Sequence, residues 1–303
     1  MVDSRCAMTS EVRLRDTRSD AARAEPFAAA LLRLHLLTHF SGQIMLTLNS
    51  ERRGKGRPLL MVHGLGGSIR SWDPIVPALS QQRTLILVDM PGHGKSEAIG
   101  GRQTIAAYAD ALTQFIDAQN LGAVDLVGSS VGARLVLELA RRGVGGNCVA
   151  FDPGGFWRSW ETQFFRTTIS ASIRLVRLLQ PIMPLLSRHA ATRTMLLMQL
   201  SAKPWSLAPG TVLTEMRTFA ATPVFDQMVR ELAHGPLQDG AAITPGRVTI
   251  GWGRNDRLLL PRQADRAQSA FPKARLHWFE DCGHFPQWDQ PDEAVRVILD
   301  TTS

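Results

Sequence analysis

Residues 125–138 read Asp-Leu-Val-Gly-Ser-Ser-Val-Gly-Ala-Arg-Leu-Val-Leu-Glu, and this stretch decides the fold. An apolar run (Val124, Leu126, Val127) ends in Gly128-Ser129-Ser130-Val131-Gly132. That turn passes directly into a helical pattern in which Ala133, Leu135, Val136, Leu137, Leu139 and Ala140 are apolar. Strand, Gly-x-Ser-x-Gly turn and helix in succession are the context of a nucleophile elbow. Such a turn holds its central residue, Ser130, in a strained backbone conformation. The glycines on either side let neighbouring chain approach where a Cβ would collide. The hydroxyl is lifted clear of the sheet, and the helix N-terminus behind it aims backbone N–H groups at developing negative charge. Over these five residues alone an ordinary Gly/Ser turn would read the same way, so the decision rests on what surrounds them.

Upstream, Ile44–Leu48 alternates as a first strand, and Ser50–Arg57 reads as a charged, glycine-containing turn. Pro58-Leu59-Leu60-Met61-Val62 is a continuous apolar run of the kind buried on both faces of a parallel sheet. It ends in His63-Gly64-Leu65-Gly66-Gly67-Ser68, followed by a helix over Trp72–Leu79. A second buried run, Thr84–Val88, ends in Asp89-Met90-Pro91-Gly92-His93-Gly94-Lys95-Ser96. A helix from Thr104 to Asn120 leads to the elbow strand. Beyond the elbow helix, Asn147–Phe151 is a strand closing on Asp152-Pro153-Gly154-Gly155. The alternation predicts an α/β, doubly wound, mostly parallel sheet with its sites in the loops at the strands' carboxyl ends.

From Phe156 to Gln238 the strand pattern stops. Phe156, Trp157, Trp160, Phe164, Phe165, Met183, Met195, Met198, Trp205, Phe219 and Phe225 crowd a segment that Pro181, Pro184, Pro204, Pro209 and Pro223 cut into short helices. Sheet pattern resumes at Arg247–Trp252, a helix follows over Arg262–Ala270, and Arg275–Phe279 is the last strand. A closing helix runs from Pro291 to Leu299. The expected organisation is an N-terminal extension over 1–40 (mobile, then helical), a core over 41–155 and 239–303, and a helical cap over 156–238.

The net charge of +7 comes from arginine-rich surface composition. No Lys/Arg block, zinc-ligand spacing or RNA-binding aromatic cluster accompanies it, so nucleic-acid binding is excluded as an expectation. Three cysteines (Cys6, Cys148, Cys282), odd in number and far apart, imply no disulfide framework, and a reduced, cytoplasmic protein is expected. No run is apolar enough to span a membrane. Phe27–Phe40 is interrupted by Arg33, His35 and His39, so it reads as a helix packed on the body that admits weak contact with a membrane surface, and not as a signal sequence. Metal and cofactor are not implied, since no His/Cys/Asp cluster has ligand spacing.

In its loops and their order the chain resembles the α/β-hydrolase superfamily, from about Leu59 to Leu299. The likeness rests on H-G-L-G-G-S at 63–68, D-M-P-G-H-G-K-S at 89–96, G-S-S-V-G at 128–132, G-W-G-R-N-D at 251–256 and D-C-G-H-F at 281–285. The resemblance implies the triad order nucleophile, acid, histidine: Ser130, Asp256, His284. It also implies two oxyanion donors, the N–H groups of Leu65 and Val131. The chemistry asks for the same parts. A serine hydroxyl needs a base within reach, and the base needs a carboxylate to fix its tautomer. Asp152 is the rival for the acid, because some relatives carry it after the preceding strand. His63 and His93 read as structural hydrogen-bonding residues. Haloalkane dehalogenases and epoxide hydrolases are argued against because they carry aspartate where this chain has Ser130. Serine C–C bond hydrolases are argued against because their glycine-rich oxyanion loop usually differs from 63–68.

The expectation is therefore a serine hydrolase that cleaves esters of small hydrophobic substrates through an acyl-enzyme. Phe156 and Trp157 are the expected substrate-binding residues. Thioesterase, lactonase, acyltransferase and perhydrolase activities use the same triad and stay open, as does a non-catalytic ligand-binding protein that keeps the fold. The sequence does not decide the oligomeric state.

Overall fold

Alternation inside the apolar runs sends successive side chains to opposite faces of a sheet. The computed structural model describes residues 47–303. In it Leu60, Val62, Ile86, Val88 and Leu126 enter one apolar cluster, while Leu59, Met61, Leu85, Leu87 and Val127 enter another. Strands buried on both faces are what a parallel sheet covered by helices on each side requires.

The strands are β1 (Ser50–Arg53), β2 (Arg57–Val62), β3 (Arg83–Val88), β4 (Asp125–Ser129), β5 (Cys148–Phe151), β6 (Val248–Gly253) and β7 (Arg275–Phe279). They form one seven-stranded sheet in the order β1-β3-β2-β4-β5-β6-β7. Only β1 is antiparallel, with Ser50 opposite Val88 and Arg53 opposite Leu85. The strand expected over Ile44–Leu48 is corrected: residues 47–49 carry no strand, 44–46 lie outside the described residues, and the first strand is Ser50–Arg53. This edge strand owes its place to pairing with β3 and not to an apolar pattern of its own. The helix expected over Trp72–Leu79 is two shorter pieces, a 3-10 turn at Ile69–Trp72 and a helix at Val76–Leu79, with Pro77 near its start.

Other elements follow their local chemistry. Thr104 caps the helix Ile105–Ala118 by accepting from the Ala107 N–H at 3.1 Å. The elbow helix, Val131–Arg141, is buried over nearly its whole length. Between β5 and β6 there are helices and no strand: Ser159–Leu178, Met183–Leu186, Ala190–Leu197, Pro209–Ala221 and Phe225–His234, with short 3-10 turns between them. The closing helix extends to Thr302, beyond Leu299. No single helix among the described residues is long and apolar enough to cross a membrane. The expected extension over 1–40, including the helix expected over Phe27–Phe40, and Cys6 lie outside the described residues. Cys148 and Cys282 are buried free thiols.

The elbow shows why the motif needs glycine. A Cβ on Gly128 would lie 2.2 Å from the Gly132 carbonyl oxygen, and one on Gly132 would lie 2.0 Å from the Val62 oxygen. Both obstacles are backbone, the first held by the elbow helix and the second by the sheet. Gly132→Ala is therefore expected to lower stability by about 3 kcal/mol. The urea midpoint measures this, and an unchanged midpoint would refute the account of the motif.

Candidate active site

Ser130 sits where β4 ends and the helix begins, at φ +56° and ψ −114°, a left-handed conformation rare for a side chain with a Cβ. Its N–H donates to the Phe151 carbonyl of β5 at 2.9 Å, and its carbonyl accepts from Arg134 at 3.0 Å. Sheet on one side and helix on the other hold the strained residue in place.

His284 lies in the loop after β7. Its Nε2 is 2.9 Å from Ser130 Oγ, and its Nδ1 is 2.8 Å from Asp256 Oδ2. The backbone N–H of His284 donates to the Leu200 carbonyl at 2.9 Å, which ties the histidine loop to the segment that follows Ala190–Leu197. Asp256 turns the chain after β6, with Oδ1 accepting from Leu258 N–H at 2.8 Å and Leu259 N–H at 3.0 Å. All three side chains are buried. The sequence-predicted serine, histidine and aspartate thus meet in one hydrogen-bonded chain.

Asp152, the rival acid, follows β5 at φ +47° and is fully buried. Its Oδ1 accepts from Gly253 N–H at 2.9 Å, while Oδ2 has no partner among the described residues. Asp152, Asp256 and His284 each place a polar atom within 4.8 Å of the others. Burial, reinforced by the neighbouring Asp256 carboxylate, raises the Asp152 carboxyl well above the ordinary range. Two carboxylates cannot both ionise cheaply at such separation in a dry site. The cluster suits a cation poorly, because both ring nitrogens of His284 already face Asp256 and Ser130.

His63 and His93 stand apart from this chain. Met90 N–H donates to His63 Nε2 at 3.1 Å, and His63 Nδ1–H donates to the Gly64 carbonyl at 2.7 Å. With both nitrogens engaged in the neutral form, burial holds His63 down to about 4; it likewise holds His93 down to about 3. These rings brace the loops that flank the elbow.

An apolar cavity opens beside Ser130 and His284, with about 670 Å³ of unfilled space including its opening to solvent. Leu65 and Val131 line it, together with Phe165, Ile173, Val176 and Phe219. Among the described residues the only other polar wall residues are Ser172 and Gln199. Phe156 and Trp157 do not line it. Both are buried, and Trp157 stacks on Phe165 with ring centroids 5.2 Å apart, behind the wall.

Among the buried acids that sequence reading did not single out, Asp289 and Glu215 bear on the site. Asp289 Oδ2 accepts from Gly283 N–H and Ala202 N–H, both at 2.7 Å, and its Oδ1 accepts from Ser201 Oγ. It fastens the histidine loop to the insertion. Glu215, on Pro209–Ala221, accepts from Ser71 Oγ at 3.0 Å; burial raises its carboxyl to about 8. The one sequence hint for Asp289 was an acid close after His284, ahead of the proline that opens the last helix.

The model of the Alpha/beta hydrolase family matches residues 59–297. The chain belongs to the α/β-hydrolase family. Its curated relatives include an uncharacterized protein of Mycobacterium bovis, 25% identical over 272 residues that cover 82% of this chain and 77% of the relative. Another is the 2-hydroxy-6-oxononadienedioate/2-hydroxy-6-oxononatrienedioate hydrolase 2 of Pseudomonas putida. It is 26% identical over 274 residues, covering 86% of this hydrolase and 92% of the relative. Among solved structures, a thermophilic esterase from Thermogutta terrifontis superposes with a TM-score of 0.66 at 20% identity. It covers 84% of this chain and 92% of its own. That likeness speaks for the fold.

Proposed function

We propose that this hydrolase is a serine carboxylesterase for small hydrophobic esters. The observation that carries the reading is His284, which bridges Ser130 Oγ at 2.9 Å and Asp256 Oδ2 at 2.8 Å. Ser130 attacks the ester carbonyl while His284 takes its proton. The imidazolium, steadied by Asp256, then protonates the departing alcohol. Water enters, gives a proton to the same imidazole and releases the acid. The N–H groups of Leu65 and Val131 serve as oxyanion donors; losing one such donor typically lowers the rate by about a hundred- to a thousandfold. No step calls for a cofactor.

The helical segment 156–238 acts as a cap over a core made of 41–155 and 239–303. Its contribution is an apolar wall that excludes water and accepts an uncharged acyl or alcohol group. A hydrolase acting on a dioate, as the Pseudomonas putida relative is named, is the less favoured reading. A dioate substrate, as in the relative's name, brings two carboxylates. Among the described residues no lysine or arginine lines the cavity to meet them.

The test is a series of p-nitrophenyl esters from acetate to hexanoate, with a thioester and a lactone beside them. Each buried methylene adds about 0.8 kcal/mol, close to a fourfold gain in kcat/KM. Efficiency is expected to climb along the series until the cavity is filled. A flat or falling profile, or a preference for a charged ester, would overturn the assignment of the wall as an acyl pocket.

A further inference from the structure

The described residues carry ten large hydrophobic side chains that are exposed, and seven of them lie between Leu175 and Trp205. They are Leu175, Leu178, Ile182, Leu185, Met195, Met198 and Trp205. Leu178 is 75% exposed and Met195 77%, so these groups project fully from the surface. Spacings of three residues (175/178, 182/185, 195/198) place each pair on one side of its own helical turn. The turns are tied together: Thr192 Oγ1 donates to the Leu186 carbonyl, and Arg193 donates to the Trp205 carbonyl at 2.7 Å. Scattered exposed leucines need no explanation, but a concentration of this kind does.

The charge pattern of the same region says what it faces. From Thr162 to Thr214 the chain holds no aspartate or glutamate, while Arg166, Arg174, Arg177, Arg188, Arg193 and Lys203 are basic. Arg177 pairs with Asp226, and Arg193 is buried against backbone carbonyls. Arg174 and Arg188 are exposed. A second copy is a poor occupant, because a two-fold contact would set these cations against their own equivalents. A bilayer with anionic headgroups satisfies both properties. Its acyl layer takes leucine and methionine without demanding a complementary shape, a tryptophan suits its interface, and its phosphates meet the arginines.

We propose that the face formed by residues 175–205 docks on an anionic lipid surface. Ile173, Val176 and Leu196 turn inward from the same helices to line the cavity at Ser130. One layer of helix thus separates the docked face from that cavity. The docking proposal stands apart from the esterase reading, since binding is read without turnover.

The full chain is to be sedimented with vesicles of phosphatidylcholine alone, and of phosphatidylcholine with an equal amount of phosphatidylglycerol. Binding is expected to the mixed vesicles and to weaken as salt rises, each surface cation being worth about fivefold in affinity. The pair Leu178→Gln and Met195→Gln should weaken it by about tenfold or more. Leu237→Gln, at an exposed site outside the face, should leave it unchanged. Arg174→Gln with Arg188→Gln keeps every apolar contact and should remove most of the preference for anionic vesicles, which tests the face independently of any folding defect in the first pair. Four results would overturn the proposal: no binding to either vesicle, equal binding to both, binding that survives all these substitutions, or a concentration-dependent dimer that the 178/195 pair abolishes.

Discussion

Ser130→Ala is expected to leave the fold intact and to lower kcat by about a millionfold, the scale seen when the nucleophile of an analogous triad is removed. The substitution keeps the Cβ, so the strained backbone at φ +56° is neither relieved nor worsened. It removes only the oxygen that stands 2.9 Å from His284 Nε2. The adjacent Ser129 cannot take over. It belongs to β4, it is fully buried, and its Oγ accepts from Gln287 Nε2 at 3.1 Å on the far side of the turn. A fluorophosphonate probe should label the wild-type chain at Ser130 and leave the variant unlabelled. Activity near the wild-type level in a folded variant, or labelling that persists, would refute serine catalysis. Silence of the wild-type chain towards the probe would favour a ligand-binding protein on the same fold.

What the sequence made legible was whatever local chemistry enforces. The elbow was legible because two glycines, a serine and flanking strand and helix patterns leave one way for the backbone to turn. That Asp256 and His284 come together could be read because each follows a strand, and parallel strands deliver their carboxyl ends to a common edge. The first strand was not, because Ser50-Glu51-Arg52-Arg53 is polar and its pairing with β3 is a long-range fact. The cavity wall was misread for a similar reason. Phe156 and Trp157 leave β5 close to the edge, but Gly155 at φ +99° turns the chain, and Trp157 ends behind Phe165. Which aromatic side chain lines a cavity and which supports its wall depends on how helices stack. Composition does not carry that information. Asp289 was hidden likewise, since its partners at Ser201 and Ala202 come from a distant part of the chain.

Asp256→Asn is expected to lower kcat/KM by about ten-thousandfold, and Asp152→Asn by less than about tenfold. The difference follows from hydrogen bonds that surround each carboxyl. Two backbone N–H groups, from Leu258 and Leu259, point at Asp256 Oδ1. An asparagine must put its carbonyl oxygen there, because an NH₂ would face two donors. Its NH₂ then falls where Oδ2 was, against His284 Nδ1. That nitrogen must accept, so the ring proton moves to Nε2 and faces Ser130. The histidine is left in the tautomer that cannot take the serine's proton, in addition to losing the charge that steadies the imidazolium. At Asp152 the surroundings favour a neutral group from the start. Its side chain is fully buried beside Asp256, only one oxygen is held by Gly253 N–H, and burial keeps its proton on above the ordinary carboxylate range. Asparagine replaces one neutral hydrogen-bonding group with another of the same shape. The infrared carbonyl band of a protonated carboxyl should be present in the wild-type chain and absent from Asp152→Asn, a change that a purely steric role would not produce. Penalties in the reverse order would assign Asp152 as the acid that orients His284, and absence of the band from the wild-type chain would place the negative charge on both carboxylates.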